Sequence, residues 1–401
     1  MRKRNFLFNT LLVLGSTLIG FLIVAAVGEI YFRISFEADQ TGPPKDGWYS
    51  FDAARGWTIV PGDYAYIEIA ALRDVKVHVN QFGLRHPEMS LPIEANRRRI
   101  TVLGDSFVFG EALNDDETIT AQIQARAGPG YEVVPIAVPG YGTGQQILYL
   151  QELMMQGYEI GEHLVFVMFT NDIVDNVGID ASTLLRNEAQ PIFSVDAGGE
   201  LLHTAPTAPP GYGQADTEAN SRALARESLF LRFLAYQGEV LAVAYPPVFA
   251  LLERLGVVPE IPRRPGVITA WYDDSWDENW TVTEDILEWL ATNFGRRPDV
   301  KLTFVFIPSP FQAAAAFQDT LARQRGDDPV IDAFLDDVDR PQRLLGQVAE
   351  RLGVAFVDTT PVIRERTNRY PVYFPREGHL NELGTALVGD AIFDSTIGAA
   401  D

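Results

Sequence analysis

Arg99-Ile100-Thr101-Val102-Leu103-Gly104-Asp105-Ser106-Phe107-Val108-Phe109-Gly110-Glu111 is the stretch on which the reading of this chain turns. Ile100 to Leu103 are β-branched or apolar on both faces, the pattern of a buried strand in a parallel sheet. Gly104-Asp105-Ser106 then breaks the run with three residues that favour turns. Ser106 therefore stands at the carboxyl edge of a sheet, where open α/β folds place their ligands. An ordinary turn has the same composition, so the stretch takes its meaning from the rest of the chain.

From Arg99 onward, strand-like and helix-like segments alternate. The expected strands are Ile100–Gly104, Tyr131–Val138, Leu164–Phe169, Leu302–Ile307 and Val354–Val357. The expected helices are Glu117–Ala127, Gly144–Gln156, Thr283–Phe294, Pro341–Leu352 and Asn381–Phe393, with Asp339 as cap and Pro341 in the first turn of the fourth. Such alternation predicts a parallel sheet with helices on both faces. Residues 177 to about 300 break the rhythm and read as an insert. Within it, His203 to Gly211 is loop-like and Leu229 to Leu252 is strongly apolar, interrupted by Arg232, Glu239 and Pro246-Pro247. That apolar stretch is read as core or as a membrane-facing surface.

The chain has 401 residues, no cysteine and a net charge of -22. Disulfides, thiolate nucleophiles and cysteine-ligated metals are excluded. An acidic surface repels phosphate backbones, so no nucleic-acid partner is expected. The N-terminus differs. Met1-Arg2-Lys3-Arg4-Asn5 is basic, and Phe6 to Val27 is a charge-free run of 22 residues. As a helix it spans roughly 33 Å, enough for a bilayer core. The basic flank predicts a cytoplasmic N-terminus and an exported remainder, hence a single-pass inner-membrane protein. A signal peptide cleaved near Ala26-Val27-Gly28 is the competing reading, but its apolar region would be shorter. The expected organisation is an anchor over 1–35, a linker and short β-rich segment over 36–98, and a main domain over 99–398.

Three further stretches stand at comparable turns: Val138-Pro139-Gly140-Tyr141-Gly142, Phe169-Thr170-Asn171-Asp172, and Glu377-Gly378-His379-Leu380-Asn381. In this order, with Gly104-Asp105-Ser106-Phe107, they resemble the GDSL/SGNH hydrolase superfamily. Asn80-Gln81-Phe82-Gly83-Leu84-Arg85 resembles its membrane-anchored bacterial members. The resemblance covers about 100–176 and 302–393. It implies a three-layer α/β/α, flavodoxin-like fold behind the N-terminal transmembrane helix.

A serine hydroxyl needs a base within hydrogen-bond reach. Of the five histidines, at 78, 86, 163, 203 and 379, only His379 combines a late loop with an adjoining helix start. The resemblance implies Ser106 as nucleophile and His379 as base. It implies the Ser106 and Gly140 N–H groups and the Asn171 amide as oxyanion donors. Gly142 and Gly144 are alternatives to Gly140. The family commonly supplies an Asp just before the histidine. Here Glu377 stands two residues before it and is taken as the third member, with Asp358 or a backbone carbonyl as alternatives. Asp105 and Asp172 are expected to tie down their own loops. Trp271, Tyr272, Trp276 and Trp280 either stack on sugar rings or fill a core. No metal or cofactor is implied. The expected function is ester hydrolysis through an acyl-enzyme on Ser106, acting on envelope esters such as an O-acylated glycan or a lipid. O-acyl transfer to polysaccharide and a non-catalytic envelope role are the alternatives.

Overall fold

The computed structural model describes residues 2–35, 48–68, 73–180, 184–208, 228–245, 247, 251, 265–324, 326–367, 369, 371–375 and 378–398. Most of the predicted linker, residues 36–47, and Glu377 lie outside these. The central sheet has five parallel strands: β1 (Arg98–Gly104), β2 (Tyr131–Ala137), β3 (His163–Met168), β4 (Lys301–Phe306) and β5 (Ala355–Asp358). Their order is β5-β4-β3-β1-β2. Read from β2, this is the flavodoxin-like order, in which the chain reverses direction across the sheet between β1 and β3.

The helices introduced here, in chain order, are α1 (Arg2–Ser35), α2 (Ser106–Phe109), α3 (Ile119–Ala127), α4 (Thr143–Met155), α5 (Asp172–Asp175), α6 (Leu229–Ala244), α7 (Trp276–Leu290), α8 (Arg340–Leu352) and α9 (Glu382–Thr396). Helices α3 and α9 pair on one face of the sheet, and α4, α7 and α8 line the other. This division follows from right-handed crossovers once the strand order reverses at β1. The three layers are those expected from the alternation of segments. Asp339 precedes α8, but its side chain does not cap it: Oδ1 accepts from Gln342 Nε2 at 2.6 Å, and Arg364 takes up the same carboxylate. The Arg364 guanidinium and the Gln342 amide take this carboxylate in place of the backbone N–H groups.

The chain before β1 joins the same core. Strand Tyr49–Asp52 pairs with Gly56–Ile59, and Gly62–Glu68 pairs with Arg73–Val79, both antiparallel. Trp57, Ile59, Val75, Val77 and Val79 are buried in one apolar cluster with the β1 residues Ile100, Val102 and Leu103. Helix α1 contains a 24-residue apolar segment, Leu12–Ser35, long enough by length and composition to cross a membrane. Its last turns meet α6. Glu29 Oε2 accepts from Ser228 Oγ at 2.8 Å, and the rings of Phe32 and Phe233 lie 5.2 Å apart. Leu231, Leu234 and Leu241 of α6 are exposed, so this face of the apolar stretch is not core.

At the amino edge of the sheet Arg99 is fully buried. Its Nη2 and Nε lie 2.6 and 2.7 Å from Glu132 Oε2, and its remaining donors reach the Ser90, Leu91 and Glu159 carbonyls. A buried guanidinium is tolerated only when so surrounded. Glu132→Ala leaves this charge uncompensated and is expected to cost about 3–5 kcal/mol, read as a lowered denaturant midpoint with an unchanged slope.

Candidate active site

The reversal of strand order opens a crevice outside the carboxyl ends of β1 and β3. Ser106 follows β1 and Asn171 follows β3. The turn after β1 is tight because α2 starts at once. A Cβ on Gly104 would sit 2.2 Å from Val108 Cγ2, so only glycine lets the short helix fold back on its strand. Asp105 caps α2, its Oδ1 accepting from Phe107 N–H at 2.9 Å. Asp172 likewise holds its own loop, with Oδ2 accepting from Phe169 N–H at 2.9 Å. Both carboxyls thus do what short polar side chains at turns are expected to do.

His379 arrives from the far end of the chain. Its carbonyl accepts from Phe374 N–H at 2.9 Å, and Asn381, two residues on, caps α9 by accepting from Leu383 and Gly384 N–H, both at 3.1 Å. The imidazole lies against Phe107, with ring centroids 4.7 Å apart. Its Nε2 is 2.7 Å from Ser106 Oγ. Ser106 itself is only 6% exposed, which shields that hydrogen bond from water. The other histidines stay apart from it: His163 starts β3 at the opposite sheet edge, and His78, His86 and His203 pair with Asp63, Pro87 O and Thr204 O.

The three expected oxyanion donors stand at neighbouring strand ends. Ser106 is the first residue of α2, so its N–H has no acceptor within the helix. Gly140 adopts φ +77°, which favours glycine. Its N–H has no acceptor among the described residues, whereas Gly142 N–H donates to Gln145 Oε1 and Gly144 N–H to Asn176 Oδ1, each at 3.1 Å. The two alternatives to Gly140 are therefore occupied. The Asn171 side chain lies beside the Asp105 carboxyl and lowers its pKa, although burial outweighs this and leaves Asp105 raised. Asp358 is exposed, and its Oδ1 accepts from Thr360 N–H at 2.8 Å as a turn cap.

Several residues brace the site in ways that the sequence pattern did not foretell. Trp57 Nε1–H donates to Pro139 O at 3.0 Å, and Gln190 Nε2 to Gly140 O at 3.2 Å. Arg85 is buried, and its guanidinium donates to the Phe109, Gly110 and Leu113 carbonyls and to Asp115 Oδ1. It clamps the loop that follows the serine. Trp271, Tyr272 and Trp280 are buried, which settles them as core; Trp271 Nε1–H donates to Thr170 O at 2.7 Å, next to Asn171. Glu111 places Oε2 3.4 Å from His379 Nε2.

No family model matches the chain, and no curated protein matches it in sequence. Solved structures match it by their coordinates, at low sequence identity. A carbohydrate acetylesterase from Sinorhizobium meliloti is 12% identical, with 76% of this chain and 100% of that one covered at a TM-score of 0.34. A lipolytic G-D-S-L family member from Veillonella parvula is 10% identical over 74% and 97%, with a TM-score of 0.36. The M. smegmatis aryl esterase is 14% identical over 74% and 96%, with a TM-score of 0.33. Likeness of this degree does not by itself assign a family or an activity.

Behind the crevice three buried carboxyls crowd together. Burial, then the Asp105 charge, raises Asp172 well above the usual carboxylate range; burial, then Asp172 and Asp105, does the same to Asp175. A carboxyl raised in the folded state stabilises the fold while protonated. That contribution is complete below its unfolded pKa and is lost as pH rises through the folded one. Asp175→Asn is expected to remove part of this loss, so its melting temperature falls less than that of the native chain as pH increases.

Proposed function

We propose that this chain is a membrane-anchored serine ester hydrolase of the GDSL/SGNH type, acting on ester-linked acyl groups at the cell envelope. The observation that carries the reading is the 2.7 Å contact of Ser106 Oγ with His379 Nε2 in the crevice at the strand-order reversal. That contact lets the imidazole accept the serine proton as Oγ attacks an ester carbonyl. The unengaged N–H of Gly140, the helix-start N–H of Ser106 and the Asn171 amide are then the donors for the oxyanion.

Collapse of the tetrahedral intermediate breaks the ester C–O bond. His379 returns its proton to the leaving alcohol, and the acyl group remains on Ser106. Water then gives a proton to Nε2 as it attacks the acyl carbon; the second tetrahedral intermediate breaks its bond to Oγ, Nε2 returns the proton to Oγ, and the acid leaves with the serine restored. Glu377, two residues before His379 in the chain, is the candidate for the carboxylate that orients the imidazole. The basic tip Arg2-Lys3-Arg4 and the apolar length of α1 support a cytoplasmic N-terminus, with the rest of the chain exported.

The full chain in detergent is expected to cleave a short-chain activated ester, and Ser106→Ala to abolish turnover and fluorophosphonate labelling. Labelling without turnover until a glycan acceptor is added would move the reading to acyl transfer. Neither labelling nor turnover would overturn it. Asn171→Ala is expected to lower kcat by roughly 10²–10³ with little change in KM.

A further inference from the structure

Glu111 lies just beyond the nucleophile helix. Its own N–H donates to Ser106 O at 3.2 Å, so its backbone is fixed relative to the serine. Its side chain is 30% exposed and brings Oε2 to 3.4 Å from His379 Nε2. This is the nitrogen that meets Ser106 Oγ, not the one that a triad carboxylate orients. A carboxylate at Nδ1 selects a tautomer. A carboxylate at Nε2 cannot do so productively, because an Nε2–H in the resting state would leave the ring unable to take the serine proton. What it can do is favour the imidazolium, whose Nε2–H is shared between Ser106 Oγ and the Glu111 carboxylate.

We propose that Glu111 stabilises the protonated form of His379 at the reacting nitrogen and thereby sets the lowest pH at which Ser106 is activated. Glu111 stays ionised throughout the cycle. When the Ser106 O–H bond breaks and Nε2 takes the proton, Glu111 accepts a hydrogen bond from the new Nε2–H and takes no proton itself. In the acyl-enzyme it flanks the place from which the attacking hydroxyl must reach Nε2. Two described carboxyls face the imidazole: Glu111 from the loop after α2, and the buried Asp105 from the end of β1. Glu111 is the one open to solvent, and its partial exposure limits the strength of the pairing. The inference rests on the hydrolase reading for its chemical consequence but not for the charge pairing, so the two can fail separately.

The test is a titration of the full chain in detergent with 13C-labelled histidine, the His379 signal being the one lost in His379→Asn. Glu111→Gln keeps the side-chain length and removes the charge. It is expected to lower the His379 midpoint by about one unit and to move the acid limb of kcat/KM by the same amount, with Ser106 still labelled by a fluorophosphonate. Glu111→Asp is expected to restore part of the shift. A midpoint and acid limb unmoved in Glu111→Gln, or moved upward, would overturn the proposal while leaving the hydrolase intact. A midpoint that falls in a chain that neither labels nor turns over would uphold the pairing and sink the hydrolase reading instead.

Discussion

The hydrogen bond between Ser106 and His379 joins residues 273 apart in the chain. Nothing local can hold it. Its length depends on the register of five parallel strands, on the tight turn at Gly104 and on the capping of α9 by Asn381. The carboxyl edge of the sheet is where these constraints converge. The reversal of strand order between β1 and β3 leaves a gap there that no crossover covers. Loops from three strand ends and from the last helix can meet in that gap without crossing one another.

The segment ahead of the sheet belongs to this arrangement. Arg85 gathers the carbonyls of the loop after Ser106, and Trp57 holds the carbonyl of Pro139. Both come from the β-paired region before β1, and both are buried. A guanidinium with fixed fork geometry suits the first task, since it meets several carbonyls at once. From the insert, Trp271 holds Thr170 O and Gln190 holds Gly140 O. The turns that present Ser106, Gly140 and Asn171 are therefore fixed by side chains from outside the sheet as well as by their own caps. Such support holds the three turns in fixed positions.

Charge is distributed unevenly around the crevice. Asp105, Asp172 and Asp175 are buried behind it, where each raises the cost of ionising the next. Glu111 lies on the open side, 3.4 Å from the His379 nitrogen that meets Ser106 Oγ. Burial thus separates the three inner carboxyls from Glu111, which keeps contact with solvent. The same residue type has different consequences because its solvation differs.

Much of the fold was legible in the residue pattern. The strand ends fell within a residue or two of expectation, since runs apolar on both faces have few alternatives to a buried strand. Ser106, Gly140, Asn171 and His379 were site candidates through the resemblance of four short stretches to a known family rather than through local turn chemistry, and α1 announces itself by its length alone. The distant partners were not legible. Nothing in the sequence around Trp57, Arg85 or Glu111 marks what each touches, and Asp339 looks like a cap until Arg364 is brought beside it. The apolar stretch after Leu229 was open between core and exposed surface until α6 was seen against α1. Whether Gly140, Gly142 or Gly144 leaves an N–H free was likewise decided by Gln145 and Asn176. The strands, most of the helices and the turns between them could be read from the residues alone, because periodicity and turn propensity act over a few residues. The tertiary structure alone decided which charges and hydrogen-bond donors face one another, because those pairings depend on chain crossovers that no local pattern encodes.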